Sequence, residues 1–371
     1  MRQRPVSAVV MAAGAGSRMK STLPKPLHPL CGRPMLLHVV DALSAMFVDR
    51  VVVVVGHGAE RVTKILHEDA PPDLAIDFVE QHVARGTGDA VSVALTAFPD
   101  DDIDDGDGDI IVLPGDAPLV TPDTLQRLVD EHRAGDAAAT LLTARLDDPT
   151  GYGRVVRGND GRVRRLVEEG DATEAERDIN EVGVSMYCFR RSLLAPALRR
   201  LSPENALGEY YLTDVIGVLA NAGHRVVAVV VDDAMETVGV NDRFQLAVAE
   251  AELRRRINRG WMKAGVTMVD PDRTLVDSAV RLAPDVTLYP GTTLQAHSVV
   301  GAGAVVGPGV RLVDCAVGEG ARVEHTVGYD AVVGPGAVVG PFAFLAPGSH
   351  IPEGTTTGPF YTAGAGDDEG V

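Results

Sequence analysis

Residues 9–25, VVMAAGAGSRMKSTLPK, combine an apolar run, a glycine-broken loop and three cationic side chains in one short stretch. The apolar run begins at Val6 and ends at the glycines, which is typical of a fully buried strand in a parallel sheet. Consecutive backbone N–H groups of a glycine loop can bind an anion, and Arg18 and Lys25 would add positive charge beside it. The stretch therefore predicts a phosphate-binding loop at a strand end. The alternative is a turn followed by surface cations.

This loop matches neither of the two commonest phosphate-binding motifs. The segment Gly14–Met19 is not GxGxxG because methionine takes the last position, and no Gly-Lys-Ser/Thr closes it as in a P-loop. A plain GxG is weak evidence by itself. The prediction depends on the buried strand that precedes the loop, on Arg18 that follows it, and on Lys25 behind a proline.

Short apolar runs alternate with helical patterns through the first part of the chain. Strands are predicted at residues 6–12, 51–55, 75–79, 110–113, 181–189 and 225–232. Helices are predicted between or after them at 34–46, 59–68, 88–97, 122–134, 192–201 and 211–222, with a hairpin around Asp160-Gly161. The alternation predicts an α/β, Rossmann-like doubly wound domain, in which ligands lie at the carboxyl ends of the strands.

The last part of the chain repeats with a period of six. From Val280 the hexads are VRLAPD, VTLYPG, TTLQAH, SVVGAG, AVVGPG and VRLVDC, and a second register starts at Ala331. Valine or a small residue at the first position, with glycine or proline at the corners, predicts a hexapeptide β-helix. The alternative is a disordered tail rich in glycine and proline. The predicted limits are 1–241 for the α/β domain, 242–265 for a linker helix, 266–355 for the β-helix and 356–371 for a disordered tail.

Composition excludes several classes of protein. The 34 basic and 52 acidic residues give a net charge of −18, which argues against nucleic acid as the main partner. No apolar run approaches the roughly 20 residues that span a bilayer, so no membrane is expected. The cysteines Cys31, Cys188 and Cys315 lie far apart without a CxxC, which predicts neither disulfides nor a zinc ribbon and favours the cytoplasm.

Two polar residues that follow apolar runs in the sequence are candidate metal ligands. Asp116 follows the run at 110–113, and Asn241 follows a run near residue 238. Magnesium takes one or two carboxylates together with substrate phosphates, so Asp116 fits this role, with Asn241 as a second oxygen ligand. The alternatives are a turn cap at Asp116 and a helix N-cap at Asn241. The seven aspartates in residues 100–109 fail the calcium-loop spacing and are interpreted as a solvated loop.

Six segments in chain order together resemble the bacterial N-acetylglucosamine-1-phosphate uridylyltransferase family. They are VVMAAGAGSRM with LPKPLHPLCGRPMLLHVV, VEQHVARGTGDA, LPGDAPL, DDPTGYGRVVR, GEYYLTD and VGVNDRFQLA. The resemblance implies a Mg²⁺-dependent enzyme that transfers UMP from UTP to a sugar 1-phosphate, N-acetylglucosamine 1-phosphate above all, and a left-handed β-helix that forms a homotrimer. The alternatives are transfer to another sugar 1-phosphate or from another nucleotide, and a non-catalytic scaffold or regulator.

The resemblance also implies site residues. The catalytic cations would be Arg18 and Lys25, and the metal ligands Asp116 and Asn241. Nucleotide contacts would come from Ala13, Gly14, Gly16, Lys25, Gln81, Gly86 and Thr87. Sugar contacts would come from Gly153, Glu168, Gly183 and Asn241.

Two departures from the family pattern bear on the activity. In the strand that contacts the sugar, the family commonly has Glu-Ile/Val-Asn-Ser/Thr-Gly. Residues 181–185 of this chain are EVGVS, so Gly183 replaces an asparagine. A lost polar contact can change substrate preference by orders of magnitude, which leaves the sugar open. Family members also continue into an acetyltransferase, but this sequence ends soon after residue 348 and has Ala346 where that site has an arginine. No acetyltransferase activity is expected.

Overall fold

The computed structural model describes residues 4–46, 48–98 and 108–364. The chain forms two compact units. The first contains Met1–His28 and Pro34–Leu246, and the second contains Pro29–Arg33 and Ala247–Val371. The domain limits taken from the sequence stay predictions.

A nine-stranded sheet forms the centre of the first unit. Its order is β11-β7-β10-β6-β1-β4-β5, with β8 paired to β10 and β9 paired to β8. Strand β10 is antiparallel to β6 and β7, whereas the pairs β6 with β1, β1 with β4, and β4 with β5 are parallel. The strands of this sheet are β1 Val6–Met11, β4 Arg50–Val55, β5 Ile76–Glu80, β6 Asp109–Pro114, β7 Ala139–Arg145, β8 Gly153–Arg157, β9 Val163–Val167, β10 Glu181–Arg190 and β11 Val226–Val230. Strands β2 Pro29–Leu30 and β3 Arg33–Pro34 form a separate two-stranded sheet.

Helices cover both faces of this sheet. Successive residues of β1 alternate between two apolar cores, with Ala8 and Val10 in one and Val9 in the other. Because side chains alternate across a strand, both faces of β1 are buried. The helices of this unit are α1 Met35–Ala45, α2 Ala59–Asp69, α3 Thr87–Leu95, α4 Pro122–Ala134, α5 Glu174–Arg177, α6 Arg191–Leu198 and α7 Asp214–Asn221. Helix α8 Arg243–Lys263 follows them in the chain and belongs to the second unit from Ala247 onward. Residues of α1, α2 and α4 pack in the first core, and residues of α3, α6 and α7 in the second. The predicted Rossmann-like α/β fold is confirmed.

Two features of this unit differ from the sequence interpretation. Strand β7 was not predicted, because its residues ATLLTAR lie where the strand–helix pattern weakens. Most of the segment 100–109, which was interpreted as a solvated acidic loop, lies outside the described residues. For Asp109 the interpretation is wrong. That side chain is 1% exposed and accepts a hydrogen bond of 2.8 Å from Arg133 Nε. A buried carboxylate needs such a partner, which the local composition does not reveal.

The second unit is a stack of short parallel strands in three sheets, and it confirms the predicted left-handed hexapeptide β-helix. The strands are β12 Thr267–Met268, β13 Leu275–Val276, β14 Arg281–Leu282, β15 Thr287–Leu288, β16 Thr293–Gln295, β17 Val299–Val300, β18 Val305–Val306, β19 Arg311–Val313, β20 Ala316–Val317, β21 Arg322–Val323, β22 Val327–Tyr329, β23 Val332–Val333, β24 Val338–Val339, β25 Phe344–Leu345, β26 His350–Ile351 and β27 Thr362–Ala363. The first residue of each hexad is buried, as Val280, Val286 and Ala304 show at 0% exposure. Strand β27 lies inside the segment predicted as a tail, and residues 365–371 lie outside the described residues.

The longest of the described helices, α8, is strongly charged. Within it Glu252 is buried and accepts a hydrogen bond of 2.7 Å from Arg256 Nε. Searched over the described ranges, the chain has no helix with the length and apolar character that a bilayer span needs. The cysteines Cys31, Cys188 and Cys315 are buried free thiols, as the absence of a CxxC predicted.

Candidate active site

A cavity of about 590 Å³ opens at the carboxyl ends of β1 and β6, in the first unit. Twelve of the thirteen residues predicted for the site lie on its wall: Ala13, Gly14, Arg18, Lys25, Gln81, Gly86, Thr87, Asp116, Gly153, Glu168, Gly183 and Asn241. The remaining prediction, Gly16, is not on the wall. A Cβ at Gly16 would lie 2.6 Å from Lys25 Cβ, so Gly16 packs behind that lysine.

The loop after β1 holds Arg18 at the cavity. Gly16 adopts a left-handed conformation with φ 62°, which glycine accepts without strain. A short 3-10 turn, Ser17–Met19, follows, and Met19 is buried at 1% exposure while Arg18 is exposed. The buried methionine anchors the turn, so the guanidinium of Arg18 is directed at the cavity. A Cβ on Gly14 would meet nothing within 4 Å, which leaves the loop backbone open to a ligand.

Two cations and two oxygen-bearing side chains meet at one point of the wall. Lys25 Nζ donates to Asn241 Oδ1 at 2.8 Å and forms an ion pair with Asp116. Arg18 Nη2 donates to the same Asn241 oxygen at 2.9 Å. The side chain of Lys25 is 13% exposed and that of Asp116 is 23% exposed, so the pair is partly shielded from water. Partial shielding strengthens the electrostatic interactions of these groups with a charged ligand.

Backbone hydrogen bonds bring Asn241 to this point. Gly115 N donates to Met11 O at 2.9 Å, which joins the ends of β6 and β1, and Val240 N donates to Asp116 O at 2.8 Å. The N-cap role considered for Asn241 is filled by Asp242, whose Oδ1 accepts from Gln245 N at 2.8 Å. The Asn241 side chain therefore faces the cations. The Asp116 carboxylate likewise faces Lys25.

The predicted magnesium ligands fit a divalent cation. The carboxylate of Asp116 and the amide oxygen of Asn241 both contact the ammonium of Lys25, so two oxygen ligands already converge on one cation. Within the described residues, no group of three His, Cys, Asp or Glu side chains gathers as a metal site. Magnesium commonly completes such a partial site with substrate phosphates and water.

Residues 81–87, which include three of the predicted nucleotide contacts, are held in place by a second segment around Tyr210. Gln81 Nε2 donates to Asp89 Oδ2 at 2.8 Å and to Gly86 O at 3.2 Å, which orients the side-chain amide. Gly86 has φ 104°, and a Cβ there would lie 2.6 Å from Tyr210 O. Thr87 Oγ1 accepts from Leu212 N at 3.0 Å. The residues around Tyr210 therefore hold the Gly86–Thr87 turn against the cavity.

Glu168 provides a carboxylate on the predicted sugar side. Its Oε1 accepts a hydrogen bond of 3.0 Å from Thr213 Oγ1. Burial raises the pKa of Glu168, the Thr213 hydrogen bond lowers it, and nearby Asp214 and Asp171 raise it further; the net shift is upward. Glu168 consequently takes up a proton at a higher pH than an exposed glutamate.

Several cavity residues were not predicted. They include Thr213, Glu209, Ser185, Tyr187, Gly239, Gln245 and Leu166. Two of them, Glu209 and Thr213, lie in GEYYLTD, so the motif was seen but its side chains were not placed. Ser185 is exposed with φ 59°, where β10 changes register between Gly183 and Tyr187. No local sequence signal reveals that irregularity.

The chain is similar to a protein-family model and to individual proteins that share the name GlmU. A family model for a MobA-like NTP transferase domain matches residues 8–214. The bifunctional protein GlmU of Shouchella clausii strain KSM-K16 is 45% identical over 353 residues, which are 95% of this chain and 75% of the relative. GlmU of Thermobifida fusca strain YX is 46% identical over 329 residues, 89% of this chain and 67% of the relative.

A solved structure shares the fold. It is a Bacillus anthracis protein described as a glucose-1-phosphate thymidylyltransferase, with a TM-score of 0.53 and 20% identity. The match covers 67% of this chain and 94% of that one. At this level of identity the likeness shows the fold alone.

Proposed function

Because the chain belongs to the GlmU family, whose NTP transferase domain it contains, we propose that it transfers UMP from UTP to N-acetylglucosamine 1-phosphate with Mg²⁺. The enzyme class is that of the sugar-1-phosphate nucleotidyltransferases. The observation that carries the proposal is the meeting of Arg18, Lys25, Asp116 and Asn241 on one wall of the cavity. A scaffold protein would need none of these charges at a strand end.

The proposed step is an in-line displacement. A phosphate oxygen of the sugar 1-phosphate forms a bond to the α-phosphorus of UTP, the bond from that phosphorus to the bridging oxygen breaks, and pyrophosphate leaves. Arg18 and Lys25 bind the phosphates and neutralise charge that develops in the transition state. Magnesium, held by Asp116 and Asn241, would supply further charge neutralisation. Gln81, Gly86 and Thr87 would hold the uracil, and Glu168 the sugar hydroxyls.

Pyrophosphate release tests the proposal. The protein is incubated with Mg²⁺, each common nucleoside triphosphate and a panel of sugar 1-phosphates, and pyrophosphate is measured. Among the common sugar 1-phosphates, we expect the fastest release with UTP and a hexosamine 1-phosphate. Absence of release with every pair would favour the scaffold alternative. A clear preference for another nucleotide or sugar would favour a transferase of a specialised pathway, for which Gly183 is the supporting observation.

We expect the binding of the sugar phosphate to weaken as the pH falls. The pKa of Glu168 is raised, so its carboxylate is lost at a higher pH than that of an exposed glutamate, and sugar hydroxyls lose their acceptor. The KM for the sugar phosphate should rise from pH 8 towards about pH 5, where carboxyl groups titrate, while the KM for UTP changes less. In Glu168→Gln the KM should be about tenfold higher at neutral pH, a typical loss for one hydrogen bond to a charged group.

The phosphate of the substrate also titrates between pH 8 and about pH 5. The pH profile of the wild type must therefore be compared with that of Glu168→Gln. Its contribution is the same in the wild type and in Glu168→Gln. The extra pH dependence of the wild type is the part that belongs to Glu168. Identical pH profiles for the two proteins would contradict the assignment of Glu168 to sugar binding.

We also propose that the β-helix forms a homotrimer. On one of its sheets the outward residues Val299, Ala316 and Val332 are register neighbours, and the two valines are 47% and 44% exposed. This exposed apolar strip is the surface that we expect copies of the chain to bury against one another. Sedimentation should give three times the chain mass of 39.0 kDa, and Val332→Asp should lower the oligomer fraction. A monomer at all concentrations would refute the proposal.

Acetyl transfer is not part of the proposed activity. The family resemblance places an arginine of the acetyltransferase site at the position of Ala346, and alanine cannot bind a phosphate by charge. Incubation with acetyl-CoA and glucosamine 1-phosphate should release no coenzyme A thiol above the background. Release at a rate comparable to pyrophosphate release would contradict this proposal.

A further inference from the structure

Two glycines face each other on the sugar side of the cavity. Gly183 on β10 is the register partner of Gly153 on β8, and both line the cavity. Opposite residues of antiparallel strands project to the same face of the sheet. The pair therefore forms a floor of two residues without side chains, and glycine within strands often marks the close approach of a ligand.

One apolar side chain and one carboxylate lie beside this floor. Leu166 near the end of β9 and Glu168 just after the strand both line the cavity. A Cβ on Gly153 would lie 3.6 Å from Glu168 Oε2, whereas a Cβ on Gly183 would overlap Leu166 Cδ2 and lie 3.4 Å from Leu166 Cγ. The wall is thus polar next to Gly153 and apolar next to Gly183.

Leu166 fills the space that a side chain at residue 183 would occupy. It is 3% exposed, belongs to the second apolar core and also lines the cavity. The position therefore offers a methyl group in place of a hydrogen-bonding partner. A sugar hydroxyl turned towards it would be removed from water without a partner, which is unfavourable. A hydrogen or a methyl group at the same place would fit without this loss.

We propose, resting on the sugar-1-phosphate transfer above, that the preferred acceptor is a deoxy sugar 1-phosphate. Its hydroxyls bind Glu168, and its deoxygenated carbon lies against Leu166. An apolar wall rejects an added hydroxyl only moderately, by about a hundredfold at most. The hydroxylated sugar should consequently remain a measurable but poorer substrate.

The test compares N-acetylglucosamine 1-phosphate with its three monodeoxy analogues, which each lack one free hydroxyl group. With UTP and Mg²⁺ we expect one analogue to exceed the parent in kcat/KM by about tenfold to a hundredfold. If the parent is the best of the four, this inference is wrong while the uridylyl transfer stands. Lack of pyrophosphate release from all four, and from a wider acceptor panel, would overturn both.

Variants at residue 166 show whether Leu166 causes the preference. Leu166→Asn should reverse it, because the amide offers the hydroxyl a partner, and Leu166→Ala should bring the ratio of the two kcat/KM values close to one. The ratio is measured on a single preparation, so a partly unfolded fraction cancels. Val163→Ala is the matched control, because Val163 is equally buried on β9 in the same core but does not line the cavity. A ratio that changes as much in the control would overturn the proposal.

Discussion

Asp116→Ala should lower kcat at least about a thousandfold. The carboxylate pairs with Lys25 and is one of two oxygen ligands converging on that cation. Its loss would remove the predicted metal ligand and leave the Lys25 ammonium with only Asn241 from this group. Asp116→Asn tests the charge with little change of shape and should lose nearly as much. Steady-state kinetics over a range of Mg²⁺ concentrations should show a raised metal requirement in both variants.

An exposed aspartate supplies the control for Asp116. Asp123 lies in the first turn of α4, is exposed and does not line the cavity. Asp123→Ala should keep kcat within about twofold of the wild type, as surface substitutions usually cause small changes. Near-normal turnover of Asp116→Ala, with an unchanged Mg²⁺ dependence, would show that Asp116 is only a turn residue that pairs with Lys25.

Arg18→Ala should lower kcat/KM by about a hundredfold to a thousandfold, the usual loss for one donor to transition-state charge. Its guanidinium faces the cavity and shares the Asn241 oxygen with Lys25. Arg18→Lys should recover only part of the loss, because an ammonium lacks the planar fork that binds two phosphate oxygens. Initial rates at varied UTP and sugar phosphate would show whether nucleotide binding or turnover is affected.

A substitution of the neighbouring Lys20 distinguishes a specific contact of Arg18 from a general effect of positive charge in the loop. Lys20 is exposed, has φ 49° and does not line the cavity. Lys20→Asn removes the charge with a residue that tolerates this left-handed backbone. It should change kcat/KM by about twofold or less, which is usual for a surface charge. Equal losses for Arg18→Ala and Lys20→Asn would mean that only the net positive charge of the loop matters.

Much of the fold follows from local patterns in the sequence. The buried strand at residues 6–11 was predicted within one residue, because an apolar run bounded by glycine leaves few alternatives. Helix α4 was predicted at its observed limits, Pro122–Ala134, because proline suits the first helical turn. Strand β7 was missed because nothing in its sequence shows that it pairs with β10 and β11.

The sequence by itself determined the α/β domain and the β-helix, since short periodicities report local structure, and its family motifs predicted part of the residues on the cavity wall. Only the tertiary structure decided how these residues act together. Arg18 meets Asn241 across 223 residues of chain, and Asp109 proved to be buried rather than part of a solvated loop. At Gly183 the sequence showed a missing side chain, but only packing showed that Leu166 takes its place. Contacts between distant segments depend on the register of the sheet, which no local pattern specifies.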